Sequence, residues 1–335
     1  MAMIETAALR KVFRSVRRRP GIGGAIAALF SREYEEHVAV DDVTMAVEAG
    51  ELVGYLGPNG AGKSTTIKML TGILVPTSGA IRVAGLVPHR RRYDNAQNIG
   101  VVFGQRSQLY WDLPLRESFA LLRSIYDVPL DRYRQNLKHF SDILDLDRFM
   151  DTPVRQLSLG ERMRGDFAAA MMHDPKIVYL DEPTVGLDVV AKEAIRDFIA
   201  QINRDRGTTI VLTTHDLADV ERLARRVILI DEGRIIFDGA LASLRNEYGT
   251  HRTLVITLAE NYPEVKLEGA HLESREANVV RLRFDRRRIS AEALIRRAME
   301  QYEISDLAII EPDIDTIVRR IYREGYHDGH EGAAS

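Results

Sequence analysis

Eight residues constrain this chain more than any others: Gly57-Pro58-Asn59-Gly60-Ala61-Gly62-Lys63-Ser64. The glycines let backbone amides turn inward and approach an anion with no Cβ in the way. The apolar run Leu52-Val53-Gly54-Tyr55-Leu56 just before them reads as a buried strand, and Thr65 to Leu70 reads as a helix just after. A glycine-rich loop in that setting points at the positive end of a helix dipole, which favours phosphate. Lys63 can reach β- and γ-phosphates, and the Ser64 hydroxyl can ligate Mg²⁺. The loop therefore predicts a nucleoside triphosphate site built from residues 57–64, with Thr65 beside it.

A second element suits the first. Ile177-Val178-Tyr179-Leu180 is a short apolar run ending in Asp181-Glu182. In a phosphate-loop enzyme, a buried strand that ends in two carboxylates can hold Mg²⁺ through Asp181. Glu182, one residue further, can orient the attacking water.

The wider pattern agrees with an α/β fold. Ile4 to Phe13, Val40 to Val43, Met45 to Val47, Ile99 to Phe103 and Thr209 to Leu212 read as further strands, and Leu115 to about Phe149 reads as helical. Strands alternating with helices predict a mostly parallel sheet. Residues 14–33 break the rhythm and read as an insertion. They carry Arg17, Arg18 and Arg19, then Ile22, Ile26, Leu29 and Phe30 at helical spacing, a pattern open to a short amphipathic helix. Character changes again near Tyr248-Gly249. Leu254, Ile256 and Leu258 alternate, as do Val280, Leu282 and Phe284; Ser290 can cap a helix, Leu307 to Ile310 reads as a strand, and Pro312 opens a last helix. The expected plan is a nucleotide-binding domain over 1–245, a small α+β domain over 250–324, and a disordered tail over 325–335.

Composition narrows the partners. The net charge is −3, which gives no bulk argument for nucleic acid. There is no cysteine, so disulfide and thiolate chemistry are excluded. No apolar region of signal-peptide type follows Met1, and no run of 18 apolar residues is present.

Taken in order, the residues resemble the nucleotide-binding subunits of ATP-binding-cassette transporters, over about residues 4–240. Gln105 resembles the glutamine of that family's Q-loop. Leu157-Ser158-Leu159-Gly160-Glu161 resembles its signature, Gly186-Leu187-Asp188 its D-loop, and His215 its switch histidine. The resemblance implies a P-loop cassette with a mostly parallel sheet, an antiparallel β subdomain and a helical subdomain over about 106–165. It implies an ATPase in which Glu182, His215 and Gln105 are catalytic, and Ser64, Gln105 and Asp181 hold Mg²⁺. ATP would also be contacted by Asp188 and by Ser158, Gly160 and Glu161. For the aromatic that stacks on adenine, distance to the P-loop favours Tyr34, and the local context of Arg10-Lys11-Val12 favours Phe13; Tyr34 is preferred. The signature departs from the common pattern at Leu159, where a second glycine is usual, and at Glu161, where glutamine is usual.

One P-loop and one signature per chain imply a head-to-tail dimer, a homodimer by preference, with each signature closing over the partner's nucleotide. The resemblance points most closely to exporter-type subunits working with separate membrane-spanning permeases at the cytoplasmic face of the cell membrane. Gln108 to Pro114, rich in aromatics, suits a socket for such a partner. Soluble relatives acting on DNA or ribosomes fit less well, because the chain lacks their long coiled coil or second cassette. An importer motor is the other alternative.

Overall fold

A computed structural model describes residues 2–16, 34–104, 106–214 and 216–324. The chain divides into two compact units, Met1–Asp238 and Gly239–Ser335.

The first unit opens on a long antiparallel pair, β1 (Ala2–Val16) and β2 (Tyr34–Glu48). It continues through β3 (Leu52–Leu56), α1 (Lys63–Leu70), β4 (Ser78–Val83), α2 (Arg92–Asn98) and β5 (Ile99–Phe103). Helices α3 (Leu115–Ile125), α4 (Leu130–Leu144) and α5 (Leu159–Met171) follow. Then come β6 (Ile177–Asp181), α6 (Val189–Arg206), β7 (Thr209–Thr213), α7 (Leu217–Leu223), β8 (Arg226–Asp231) and β9 (Arg234–Ala240).

Six strands form the main sheet in the order β5-β6-β7-β3-β8-β9. The pairs from β5 through to β8 are parallel. Strands β3 and β7 are buried along their whole length, as a sheet covered on both faces requires. A second, antiparallel sheet has the order β2-β1-β4. One core joins the two sheets, with Ile4, Val43, Tyr55, Ile67, Tyr179 and Ile228 all buried in it. The α/β expectation therefore holds, with both the parallel and the antiparallel layer present.

Two boundaries differ from those read in the sequence. β1 does not stop at Phe13; it pairs onward through Arg14↔Glu36 to Val16↔Tyr34. β2 correspondingly starts at Tyr34, six residues before Val40. Ladder hydrogen bonds and the Arg14–Glu36 ion pair at 2.8 Å carry the hairpin through residues with no apolar alternation. The basic and apolar stretch 17–33 lies outside the described residues.

The second unit begins with α8 (Leu241–Tyr248) and β10 (His251–Leu258). It adds β11 (Ala270–Glu276), β12 (Val279–Asp285), α9 (Ala291–Gln301), β13 (Ile304–Ile310) and α10 (Ile314–Glu324). Its antiparallel sheet has the order β11-β12-β10-β13. Leu254, Ile256 and Leu258 meet Val280, Leu282, Phe284, Leu294 and Ala298 in a core of its own. Ser290 caps α9, accepting from the backbone N–H of Ala293.

Candidate functional site

Every parallel strand of the main sheet ends on the same edge, and chemistry collects there. β3 is flanked by β7 and β8, with β6 next beyond β7. The loop after β3 is therefore set close to the ends of β6 and β7.

The loop is held open by contacts that only glycine allows. Gly62 has φ of 103°, and a Cβ on it would sit 2.4 Å from the carbonyl oxygen of Ala39 in β2. Gly57 is equally confined, by the Ile230 carbonyl at 2.4 Å. Lys63 opens α1, and its Nζ donates to the carbonyls of Gly57 at 2.5 Å and Pro58 at 3.0 Å, arching over the loop. Burial lowers the pKa of Lys63, while the nearby Glu182 and Asp181 carboxylates oppose that. Thr66 bonds back to the Gly62 carbonyl at 3.1 Å and to the hydroxyl of Tyr55 at 3.3 Å, fixing α1 against β3.

Asp181 ends β6 facing the loop. One of its oxygens lies 3.3 Å from the Ser64 hydroxyl, and the other accepts from Thr213 Oγ1 at 2.5 Å. Thr213, at the end of β7, orients this carboxylate; nothing in its sequence context marks it. Glu182 follows with φ of 54°, an uncommon conformation for a residue with a Cβ. Its N–H is held by the Thr213 carbonyl at 2.9 Å, so the strained turn is over-determined, as such turns at functional sites must be.

Gly104 is a second residue that the sequence did not single out. Its N–H donates to the Asp181 carbonyl at 2.8 Å. A Cβ there would fall 2.2 Å from the carbonyl oxygen of Glu182. Gly104→Ala must therefore displace the Asp181-Glu182 turn. It is expected to lower steady-state ATP hydrolysis by about tenfold or more, since small misplacements of a reacting constellation are costly. A turnover within twofold of wild type would exclude this role.

A cavity of about 580 Å³ joins these parts, lined by Asn59, Gly60, Gly62, Lys63, Ser64 and Thr65 on one side. Asp181, Glu182, Gly104 and Phe103 line another side. Phe13 and His37, opposite one another in the β1–β2 ladder, line it as well. Phe13 is 39 % exposed, and Lys11 Nζ lies 5.2 Å from its ring centre. For Tyr34 only the backbone is described. It pairs with Val16, three positions further along the hairpin from the Phe13↔His37 pair. Gln105 and His215 lie outside the described residues. Their neighbours are firmly held: Thr214 Oγ1 accepts from Asp216 N at 2.9 Å, and Asp216 pairs with Lys192 at 2.8 Å.

The Ser158 segment starts a helix rather than preceding one. Helix α5 begins at Leu159, with Ser158 as its N-cap. Ser158 Oγ accepts from the N–H of Glu161, and the Glu161 carboxylate accepts from both the N–H and the hydroxyl of Ser158 at 2.8 Å. This reciprocal capping box explains why glutamate is suited to position 161. Leu159 turns toward Gly186, where an added Cβ would meet its Cδ2 at 3.1 Å. Asp188 caps α6, accepting from Ala191 N at 2.8 Å. The second unit holds a cavity of its own, of about 610 Å³, lined by His251, Arg283 and Glu273 among others. None of the sequence-predicted residues lines it.

A phosphate loop on a parallel sheet, facing a strand that ends in Asp-Glu, defines a P-loop ATPase of the cassette type. Residues 40–185 match the family model described as ABC transporter. The daunorubicin resistance ATP-binding protein DrrA3 of Streptomyces coeruleorubidus is 32 % identical over 296 residues, covering 85 % of this chain and 92 % of that protein. The Nod factor export ATP-binding protein I of Burkholderia pseudomallei (strain 1710b) is 38 % identical over 214 residues, covering 62 % and 68 %. A solved ATP-binding cassette, dimeric in a post-hydrolysis state with ADP and Pi, shares the fold at a TM-score of 0.59. It is 24 % identical and covers 71 % of this chain and 99 % of its own. The chain belongs to the ABC transporter family, as an ATP-binding subunit, and is an ATPase.

Proposed function

We propose that this subunit is the motor of an exporter: two copies close head to tail around two ATP molecules and drive separate membrane-spanning subunits. The observation that carries the reading is the reach of the DrrA3 likeness. A match over 85 % of the chain extends past Asp238 into the second unit, so the shared plan is not limited to the cassette. That relative is named for drug resistance and the Nod factor relative for export.

Within the site, the P-loop amides and Lys63 bind the phosphates. Phe13 is the better-supported platform for adenine, because its ring faces the cavity; the preference for Tyr34 counted distance along a chain interrupted by 17–33. The residues present fit Mg²⁺, which takes hard oxygen ligands. Ser64 Oγ and an Asp181 oxygen converge at 3.3 Å, and Thr213 holds the opposite oxygen. When bound there with ATP, the ion would neutralise phosphate charge. Glu182 orients the attacking water and accepts its proton, with Gln105 and His215 assigned to the same water and γ-phosphate. Ser158 and Gly160 face the partner copy's nucleotide, with Glu161 supporting Ser158 and Asp188 at the same interface.

No helix among the described residues is long and apolar enough to cross a membrane. Attachment to the membrane is assigned to the permease. Trp111 is 53 % exposed and Tyr110 40 % exposed, so neither is core, and both are open to a partner. Arg162 lies 5.6 Å from the Trp111 ring centre and steadies it.

The full-length chain, tagged and purified from native membranes in mild detergent, is expected to bring down a hydrophobic multi-span protein. Disruption of that protein is expected to abolish efflux of a compound the cell otherwise tolerates. Recovery of nucleic acid or ribosomes with no membrane partner would overturn the reading, and loss of uptake instead of efflux would make the subunit an importer motor.

A further inference from the structure

We infer that Asp166 is a positioning residue: it fastens the segment just after Gln105 to the helix that begins at Ser158, so that the carboxylates of one ATP site and the signature of the other move together. The inference rests on the roles proposed above for Glu182 and Ser158.

Asp166 lies on α5, two turns beyond the Ser158 cap, and is 4 % exposed. Its Oδ1 accepts from the hydroxyl of Ser107 at 2.9 Å and from the backbone N–H of Gln108 at 3.0 Å. The Gln108 side-chain amide donates back to the Asp166 carbonyl at 3.0 Å, and Leu109 N donates to Ser107 Oγ at 3.1 Å. The preceding residue on α5 completes the clasp. A Cβ on Gly165 would meet the Cδ1 atoms of Leu115 at 2.9 Å and Leu109 at 3.0 Å, so α5 packs closely on this stretch.

The other end of the segment is tied to the catalytic strand, where Gly104 N donates to the Asp181 carbonyl at 2.8 Å. Only residues 105 and 106 separate Gly104 from Ser107. Three Cα steps span at most roughly 11 Å, which sets the limit to how far the two anchors can part, and Arg106 N donates to the Phe103 carbonyl at 3.1 Å, folding the stretch into a turn. Tyr110 and Trp111 continue directly from the clasped stretch. A partner pressing on them acts on α5 and on the Asp181-Glu182 turn through the same few residues.

Burying a carboxylate is costly, and the cost is met here by donors from one short segment. Burial pushes the Asp166 carboxyl up to about 6, against the pull of the Gln108 and Ser107 donors and of Arg162. A group held at that cost, with its bonds spent on one short segment, fits a coupling role better than a packing role.

The test uses the full-length chain. Asp166→Ala is expected to cut kcat about tenfold while the ATP dissociation constant of the monomer stays within about twofold. Asp166→Asn, whose amide oxygen can still accept from Ser107 and Gln108, is expected to recover kcat to within about threefold of wild type. In a Glu182→Gln background, ATP-dependent dimers seen by light scattering are expected to be lost on adding Asp166→Ala. A wild-type kcat in Asp166→Ala, or a fall matched by the fall in folded fraction or in affinity, overturns the inference. If Asp166→Ala does not fold, Ser107→Ala decides: a roughly threefold or larger loss in kcat at unchanged affinity supports the clasp, and no loss overturns it. If Glu182→Gln alone forms no ATP-dependent dimer, the underlying two-site reading fails and takes this inference with it. If it dimerises and Asp166→Ala changes nothing, only the clasp fails.

Discussion

Glu182→Gln is expected to reduce steady-state ATP hydrolysis by about 10³-fold, roughly 4 kcal/mol of transition-state stabilisation, while ATP still binds. The substitution removes the proton acceptor but not the geometry. Glu182 is held through its backbone, by the Thr213 carbonyl and by the close approach of Gly104, and neither contact involves the side chain. The amide therefore occupies the same strained turn. With hydrolysis blocked and phosphates bound, the ATP-bound dimer should accumulate and be visible by size-exclusion chromatography with light scattering. Normal turnover in this variant would remove Glu182 from the mechanism.

The second large effect is expected at Lys63. Lys63→Ala should weaken ATP binding itself by about 10- to 100-fold, the scale of losing charge-assisted hydrogen bonds to phosphate. Two changes act in the same direction. The side chain that bridges the Gly57 and Pro58 carbonyls is gone, so the loop loses its internal brace. The nearby Asp181 and Glu182 carboxylates also lose the cation that offsets them and repel an incoming triphosphate more strongly. Equilibrium titration with a fluorescent nucleotide checks this, and an unchanged dissociation constant would count against the loop as the phosphate site.

The parts of the site that were legible in the sequence are those whose constraint is local. The P-loop glycines, Lys63 and Ser64 lie within eight positions and announce themselves by backbone demand alone. Asp181 and Glu182 show as the end of an apolar run. What stayed hidden depends on contacts between distant segments: Thr213 meets Asp181 across 32 positions, and Ser107 meets Asp166 across 59. Asp166, on a helix that also carries Glu161, Arg162 and Arg164, looks like a surface residue until its partners are known. The sheet shows the same division. β3, β6 and β7 were readable as apolar runs, but β11, mostly exposed along Ala270–Glu276, has no alternation to read and exists because β12 pairs with it. The extension of β1 to Val16 has the same cause, since a partner strand can prolong a ladder through charged residues.

The capping box at Ser158 carries a consequence for the proposed head-to-tail dimer. The Ser158 hydroxyl already has an acceptor, the Glu161 carboxylate of its own helix. To donate to a partner copy's phosphate it must release that carboxylate, so closure exchanges one charged acceptor for another and adds no bond from this hydroxyl. Glu161, with its negative charge, then stands near the arriving phosphate as a rival for the same proton. In the proposed dimer such an exchange would leave the Ser158 hydroxyl with one acceptor in either state.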